Sequence, residues 1–473
     1  MREGLVSREH PLRPALIEED GRTLSYAALH EAIDQGAGQF PPGELLFIVG
    51  GNDLATMLCY LRAQRGGAVA LLLERTMPRE ALARLVGTYA PSLVFAPASI
   101  LDFPDDALQL HEEGEYGLYR LRSAPTGAQA LHPDLGLLLA TSGSTGSPKL
   151  VRLSMANLAA NAGSIAQFLD ITCEERAVTS LPLNYSYGLS VINSHLYAGA
   201  AVVLTNRSLM DTKFWQLVRD QRITSFAGVP FSYDMLLKLR LARIDMPSVR
   251  TLTQAGGRLD AAKMLQVAQI CRDKGIRFVP MYGQTEATAR IAWLAPEDVE
   301  RKPGSIGRAI PAGRLWLESD DGRVLERPGD TGELMYAGPN VSLGYAESAA
   351  DLALGDVNGG VLRTGDIARF DEDGCFYIEG RRQRFLKIFG VRISLDATER
   401  ILAELGITGA AHGVDDRLTI HAVGADQWDA PTLRAELARR IGVHPTAITV
   451  ATLDELPRLP TGKVDYACLT RLT

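Results

Sequence analysis

From about residue 45 onward, short apolar runs alternate with longer amphipathic ones. LLFIVG (45–50), AVALLLE (68–74) and SLVFAP (92–97) are too short for buried helices and apolar at nearly every position, so they read as strands covered on both faces. DLATMLCYLRAQRGG (53–67) has helical spacing and stops at two glycines. The rhythm returns at AAVVLT (200–205), TSFAGVP (224–230), VRTLTQAGG (249–257) and IRFVPMYG (276–283), separated by amphipathic FWQLVRDQR (214–222) and AAKMLQVAQICRDKG (261–275). Strand and helix in repetition predict parallel α/β sheets, whose ligands gather beyond the carboxyl ends of the strands.

From 304 to 380 the pattern breaks into short strands interrupted by Gly, Pro and Asp, as in GELMYAGPN (332–340) and CFYIEG (375–380), which predicts a small β-rich subdomain. A boundary is expected near GRRQR (380–384). Beyond it, DATERILAEL (396–405), RLTIHAVG (417–424) and TLRAELARRIG (432–442) mix helix and strand in a stretch long enough for a small α+β module. The predicted fold class is therefore α/β, with a large N-terminal domain (1–382) of α/β subdomains plus a β-rich subdomain, and a small C-terminal domain (383–473). A length of 473 residues agrees, because one hydrophobic core does not grow that large.

Composition narrows the functional classes. The formal net charge of -7 gives no general attraction to nucleic acid or anionic membranes, so an anionic ligand must be held locally. Five scattered cysteines form no CxxC pair and no metal-ligand cluster, which argues against a disulfide framework or zinc site and for a reducing cytoplasm. No leader is expected from MREGLVSREHPLRP, and no apolar run approaches a membrane span.

The candidate chemistry begins at LLLATSGSTGSPKLVRLS (137–154), where an apolar strand stops at Thr141-Ser142-Gly143-Ser144-Thr145-Gly146-Ser147-Pro148-Lys149. Glycines let backbone N–H groups approach an anion, hydroxyls add donors and the lysine adds charge, a combination suited to phosphate. A flexible linker is the alternative on composition alone, although the strand leading in opposes it. It is not a Walker A loop, since Ser147-Pro148 precede the lysine and Leu150 follows it.

With RPALIEEDGRTLSYAALHEAID (13–34), TSGSTGSPK (141–149), MYGQTEATA (281–289), GELMYAGPNVSLGY (332–345), RTGDIARFDEDGCFYIEGR (363–381) and PRLPTGKVDY (457–466) in this order, the chain resembles the AMP-forming acyl-adenylating enzymes. That group includes acyl-CoA synthetases, adenylation domains and luciferases. The resemblance implies that Thr141 to Gly146 and Lys149 hold the phosphates of ATP, Thr285 the α-phosphate and Glu286 a Mg²⁺ ion. Tyr282 would stack on adenine beside Gly283 and Gly257, and Asp366 would accept both ribose hydroxyls, with Arg381 assisting there or at the hinge. Lys463, on a mobile C-terminal domain, would contact the substrate carboxylate and the α-phosphate. Gln383 stands where the family has a hinge aspartate, and the family's usual motif between HAVG and PTGK is missing. Because a hinge only absorbs backbone rotation, glutamine should permit the swing. Each of Asp366, Lys463 and Glu286 taken singly also fits a turn, a solvated loop or a helix terminus.

LPLNYSYGLSVINSHLYAGA (181–200) lies where amino-acid-activating relatives carry an aspartate, and it has none. A buried ammonium without a partner is costly, so the expected substrate is a carboxylic acid lacking an α-amino group. Tyr185, Tyr187, Gly188, Ala255 and Gly256 are the expected pocket walls. His195 is either a ligand contact or, as preferred, a satisfied core histidine. Gly390 and Arg392 lie where the resemblance implies a channel for a pantetheine arm, which favours CoA or the phosphopantetheine of a separate carrier protein as acceptor. An amino acid acceptor, giving an amide as in coronafacate-type ligases, stays open. A luciferase-type oxygenase would share the same first half-reaction, and an inactive binding protein should lack one of Lys149, Glu286, Asp366 or Lys463, all of which are present.

Overall fold

The computed structural model describes residues 4–100, 107–121, 131–140, 149–382, 384–389, 391–423, 428–459 and 463–472. The chain divides into two compact units, 1–304 with 309–314 and 337–362, and 305–308 with 315–336 and 363–473. Among the described residues no helix is long and apolar enough to cross a membrane.

The first unit contains two large mixed sheets. In one, Leu135–Ala140, Val69–Glu74, Leu45–Gly50 and Leu93–Pro97 run parallel, side by side. Their residues are almost all buried, as the unbroken apolar runs require. The margins are antiparallel: Leu150–Ser154 and then Gly344–Ala346 on one side, Tyr116–Leu121 and Ala107–Glu113 on the other. The expectation of parallel sheets thus holds for the centre and fails at the edges. In the second sheet Arg277–Tyr282, Thr251–Gln254, Ser225–Gly228, Arg176–Val178 and Ala201–Val203 are parallel neighbours, with Pro14–Ile17 beyond. The helices Leu54–Gly66, Met155–Leu169 and Ser186–Tyr197 share one core with inner faces of both sheets, whereas Thr212–Asp220, Pro230–Lys238 and Ala261–Asp273 cover the outer face of the second.

Local signals place these helices. Asp53 caps Leu54–Gly66 by accepting from the Thr56 amide, and that helix ends on left-handed Gly67. Ser154 and Asn157 form a reciprocal capping box at the start of Met155–Leu169. Arg152 is wholly buried on its strand. Its guanidinium donates to the carbonyls of Tyr345 (3.0 Å), Leu343 (2.8 Å), Gly355 (3.2 Å) and Leu354, so each part of the fork has an acceptor.

The second unit holds a five-stranded sheet in which Val361–Phe370 pairs antiparallel with Phe376–Arg381, and a three-stranded sheet of Thr408–Val414, Arg417–Val423 and Ile448–Thr452. The last two strands are parallel and are joined through the helix Ala430–Ile441. Leu402, Ile420, Leu433 and Leu437 centre the core beneath. Arg384 draws together Asp396 (2.9 Å), Glu399 (2.7 Å) and the Tyr466 hydroxyl (2.7 Å).

Candidate active site

The strand Arg277–Tyr282 delivers most of the site of the first unit to its carboxyl end. Tyr282 closes the strand, and its hydroxyl accepts from the Gln284 side-chain amide at 3.1 Å. The chain then passes Gly283, where an added Cβ would stand 1.6 Å from the Ala289 carbonyl oxygen, so only glycine permits this close return of the backbone. A single 3₁₀ turn, Thr285–Ala287, follows. Thr285 Oγ1 lies 3.1 Å from Ser186 Oγ at the start of the helix Ser186–Tyr197. Glu286 accepts from the Tyr345 hydroxyl at 2.6 Å.

Lys149 introduces the strand Leu150–Ser154. Its Nζ pairs with Glu347 at 2.7 Å and lies 5.4 Å from the centroid of the Tyr345 ring. Tyr345 therefore bridges the lysine of the hydroxyl-rich loop and the carboxylate of the Tyr282 turn, two side chains 137 positions apart in sequence. Thr141, Ser142, Gly143, Ser144, Thr145 and Gly146 lie outside the described residues.

The expected pocket walls are brought together in the same unit. Tyr185 meets Tyr187 edge to face at 6.3 Å. The Tyr187 hydroxyl is 2.9 Å from Thr253 Oγ1, and burial pushes this phenol up to about 12. Gly256 has φ +83°, and a Cβ there would lie 2.3 Å from the Tyr185 hydroxyl, so this loop needs glycine for both conformation and space. Ala255 is buried beside it, and the Gly257 carbonyl accepts from the Gln254 amide at 2.9 Å. Gly188 packs against the Pro182 carbonyl. His195 is a core histidine: Nδ1 faces the Val191 carbonyl at 2.8 Å, Nε2 faces Ser225 Oγ at 3.3 Å, and burial lowers its affinity for a proton.

In the second unit Asp366 is buried and sits opposite Arg381 in the antiparallel register, with Arg381 Nε at 3.3 Å from its carboxylate. The Arg381 amide donates to Asp396 at 2.9 Å. Lys463 is exposed, and its carbonyl accepts from the Leu459 amide at 2.8 Å. Arg392 pairs with Lys387 in the hairpin Phe385–Ile388 and Val391–Ser394. Gln383 and Gly390 lie outside the described residues.

Four residues of this site were given no role from the sequence: Ser186, Tyr345, Glu347 and Arg290, whose guanidinium carbon lies 3.9 Å from the centroid of the Tyr187 ring. Arg290 carried a signal, as a cation closing a run of small residues just before apolar IAWL. No cluster of three His, Cys, Asp or Glu able to hold a metal occurs among the described residues. The lone Glu286 carboxylate therefore suits a magnesium ion that arrives with nucleotide phosphates, which typically takes only one or two protein carboxylates.

The family model described as AMP-binding enzyme matches residues 6–346. An indoleacetate–CoA ligase of Aromatoleum aromaticum is 32% identical over 344 residues, 69% of this chain and 65% of that protein. Tyrocidine synthase 2 of Brevibacillus parabrevis is 25% identical over 98% of this chain, which spans only 13% of that protein. Among solved structures, the o-succinylbenzoate CoA synthetase of Bacillus subtilis is 25% identical. In complex with AMP it has a TM-score of 0.78, with 97% of this chain and 95% of that one covered. In complex with ATP and magnesium the score is 0.75, with 96% of each chain covered.

Proposed function

The chain belongs to the AMP-binding enzyme family, and from that premise we propose that it is an ATP-dependent carboxylic acid ligase that forms an acyl-adenylate and passes the acyl group to the thiol of CoA. The observation that carries the reading is the bridge through Tyr345, which sets a phosphate-seeking lysine and a metal-seeking carboxylate at one spot beyond the strand Arg277–Tyr282.

In the first step a carboxylate oxygen attacks the α-phosphorus of ATP and the bond to pyrophosphate breaks. The protein positions both partners and neutralises the charge that builds there. Thr141 to Gly146 and Lys149 hold the β- and γ-phosphates, Thr285 the α-phosphate, and Glu286 the magnesium ion. That ion, when bound, screens the phosphate charge. Tyr282 stacks on adenine next to Gly283 and Gly257. Asp366, kept in place by Arg381, accepts from the ribose hydroxyls, and Lys463 steadies the reacting carboxylate and α-phosphate. Residues 383–473 act as the mobile domain, with Gln383 as hinge and Gly390 and Arg392 beside the thiol's path. In the second step the thiol sulfur attacks the acyl carbon, its proton leaves, and the bond to AMP breaks. The cytoplasm is the proposed setting, supported by five cysteines all free.

The test is mass spectrometry of one reaction holding the protein, MgATP, a panel of aliphatic and aromatic acids, CoA and the common amino acids. Acyl-CoA with matched AMP and pyrophosphate is expected. An N-acyl amino acid would transfer the acceptor role to an amine, and acyl-AMP alone would transfer it to a carrier protein. Failure of every acid to yield AMP would sink the ligase reading.

A further inference from the structure

Arg290 is 3% exposed, and its surroundings do not answer its charge. Nε faces Met281 Sδ at 3.4 Å, Nη1 reaches the Ala289 carbonyl at 3.4 Å, and the guanidinium carbon sits 3.9 Å from the centroid of the Tyr187 ring. Nη2 makes no hydrogen bond and no carboxylate pairs with the group among the described residues. The molecule shows elsewhere how it buries an arginine for structure: Arg152 is equally hidden but donates to four carbonyls. A guanidinium carries five donors and cannot shed its proton, so burying one beside a ring face and a thioether is costly unless an anion arrives.

Beside the guanidinium is a small cavity of about 30 Å³, lined by Arg290 in company with Ser190, His195, Thr251, Thr253 and Met281, which is space for a carboxylate group rather than for a whole acid. Glu175, which also lines it, is already paired with Arg250 at 2.9 Å. The polar side chains around it are committed: Ser190 to the Tyr187 carbonyl, Thr253 to the Tyr187 hydroxyl, and His195 to Val191 and Ser225. The cavity is built on the strands Ser225–Gly228, Thr251–Gln254 and Arg277–Tyr282, the same three that end at the pocket walls and at Thr285.

We infer that Arg290 anchors a second anionic group of the substrate, so that the acid activated here is a dicarboxylic acid whose far carboxylate pairs with this guanidinium inside the cavity. The inference rests on the ligase reading and narrows it. One carboxylate reacts near Thr285, the other is the key that the cavity accepts, and a monocarboxylic acid of the same length leaves a buried cation without a partner.

The experiment compares dicarboxylic acids, malonate to adipate and the benzene dicarboxylates, with their monomethyl esters on the wild type, Arg290→Met and Arg290→Lys. Two readouts are taken: the shift in melting temperature with acid alone, and pyrophosphate release with MgATP. At least one diacid should raise the wild-type melting temperature and react with a kcat/KM about 100-fold above its ester, because a buried ion pair is lost with the ester. Arg290→Met should abolish this preference, mostly through KM, without lowering the melting temperature of the free protein. Arg290→Lys should keep part of it, since the charge survives and the fork is lost. A merely structural arginine would change diacid and ester turnover alike. Wild type that favours the esters, or a diacid preference that survives in Arg290→Met, overturns the inference. If esters or simple monoacids turn over well, the ligase reading stands while this one falls. If a diacid shift vanishes in Arg290→Met yet no pyrophosphate appears, the anchor stands and the ligase reading falls.

Discussion

Replacing Gly283 with alanine tests whether the turn after Tyr282 is set by backbone contact. The new Cβ would lie 1.6 Å from the Ala289 carbonyl oxygen, 2.6 Å from its carbon and 2.9 Å from the Arg290 Cα, all backbone atoms with no rotamer to escape into. The first distance is about 1.4 Å short of the 3.0 Å below which such contacts essentially never occur. The segment 283–290 must therefore move by more than an ångström, carrying Thr285, Glu286 and Arg290 with it. Misplacement of reacting groups by about 1 Å can cost roughly 100-fold in rate, and overpacking of this kind costs about 1–3 kcal/mol of stability. The assay is pyrophosphate release with MgATP and an accepted acid, paired with thermal melts. The control is Gly87→Ala, in the helix Arg79–Tyr89 with nothing within 4 Å of the added carbon, which should gain about 0.5–1 kcal/mol and keep its rate. A folded Gly283→Ala protein working within threefold of wild type would refute the claim that this contact sets the geometry of the turn.

Lys463→Ala should lower acyl-adenylate formation by orders of magnitude while thioester formation from supplied acyl-AMP stays nearly intact; an equal fall in both half-reactions would remove its assigned role. Arg152→Met, which takes the donor from four carbonyls and leaves that of Leu343 buried, should destabilise the first unit by about 3 kcal/mol or more in urea titrations, and a loss under 1 kcal/mol would show that water can replace the guanidinium. His412 and His421 touch through their Nε2 atoms at 3.0 Å, and both have lowered proton affinity, chiefly from burial, with Arg384 further disfavouring charge on His412. The unfolded chain therefore binds more protons, so this contribution is complete above about pH 6.5 and is lost as pH falls below it. Urea midpoints between pH 7.5 and 5.5 should drop, and less steeply in His412→Gln; an unchanged slope would acquit the pair.

The parallel centres of both sheets were legible because strands covered on two faces are apolar throughout, as in Leu45–Gly50 and Val69–Glu74. The antiparallel margins were not. Ala107–Glu113 is largely exposed, and Gly344–Ala346 is recognisable only through its pairing with Leu150–Ser154 far back in the chain. The helix Ser186–Tyr197 also hid, since SYGLSVINSHLY is rich in serine, glycine and β-branched residues that form helices poorly. Ten of its twelve residues are buried, and packing rather than propensity holds it. In the site, Tyr282, Thr285, Glu286 and Lys149 were visible as motif residues. Tyr345 closes the motif GELMYAGPNVSLGY but was given no role there, and Glu347 had no local signature, because what marks both is proximity to Glu286 and Lys149 across the fold. Arg290 stood in plain view as a charge, but its lack of a partner is a property of three dimensions.

The four carbonyls that hold Arg152 also set a timetable for synthesis. They lie 191 to 203 residues later in the chain. At roughly 5–20 residues per second, a ribosome needs about 10–40 s between making this arginine and supplying its last acceptor. Through that interval the strand Leu150–Ser154, paired on one side with Leu135–Ala140, is the open margin of a nearly finished sheet, with a cation among apolar neighbours and no strand on its outer side. Shielding of this margin during translation, rather than the speed of any later folding step, should govern how much of the nascent protein escapes aggregation. A chain stopped before residue 344 would carry the exposed edge permanently.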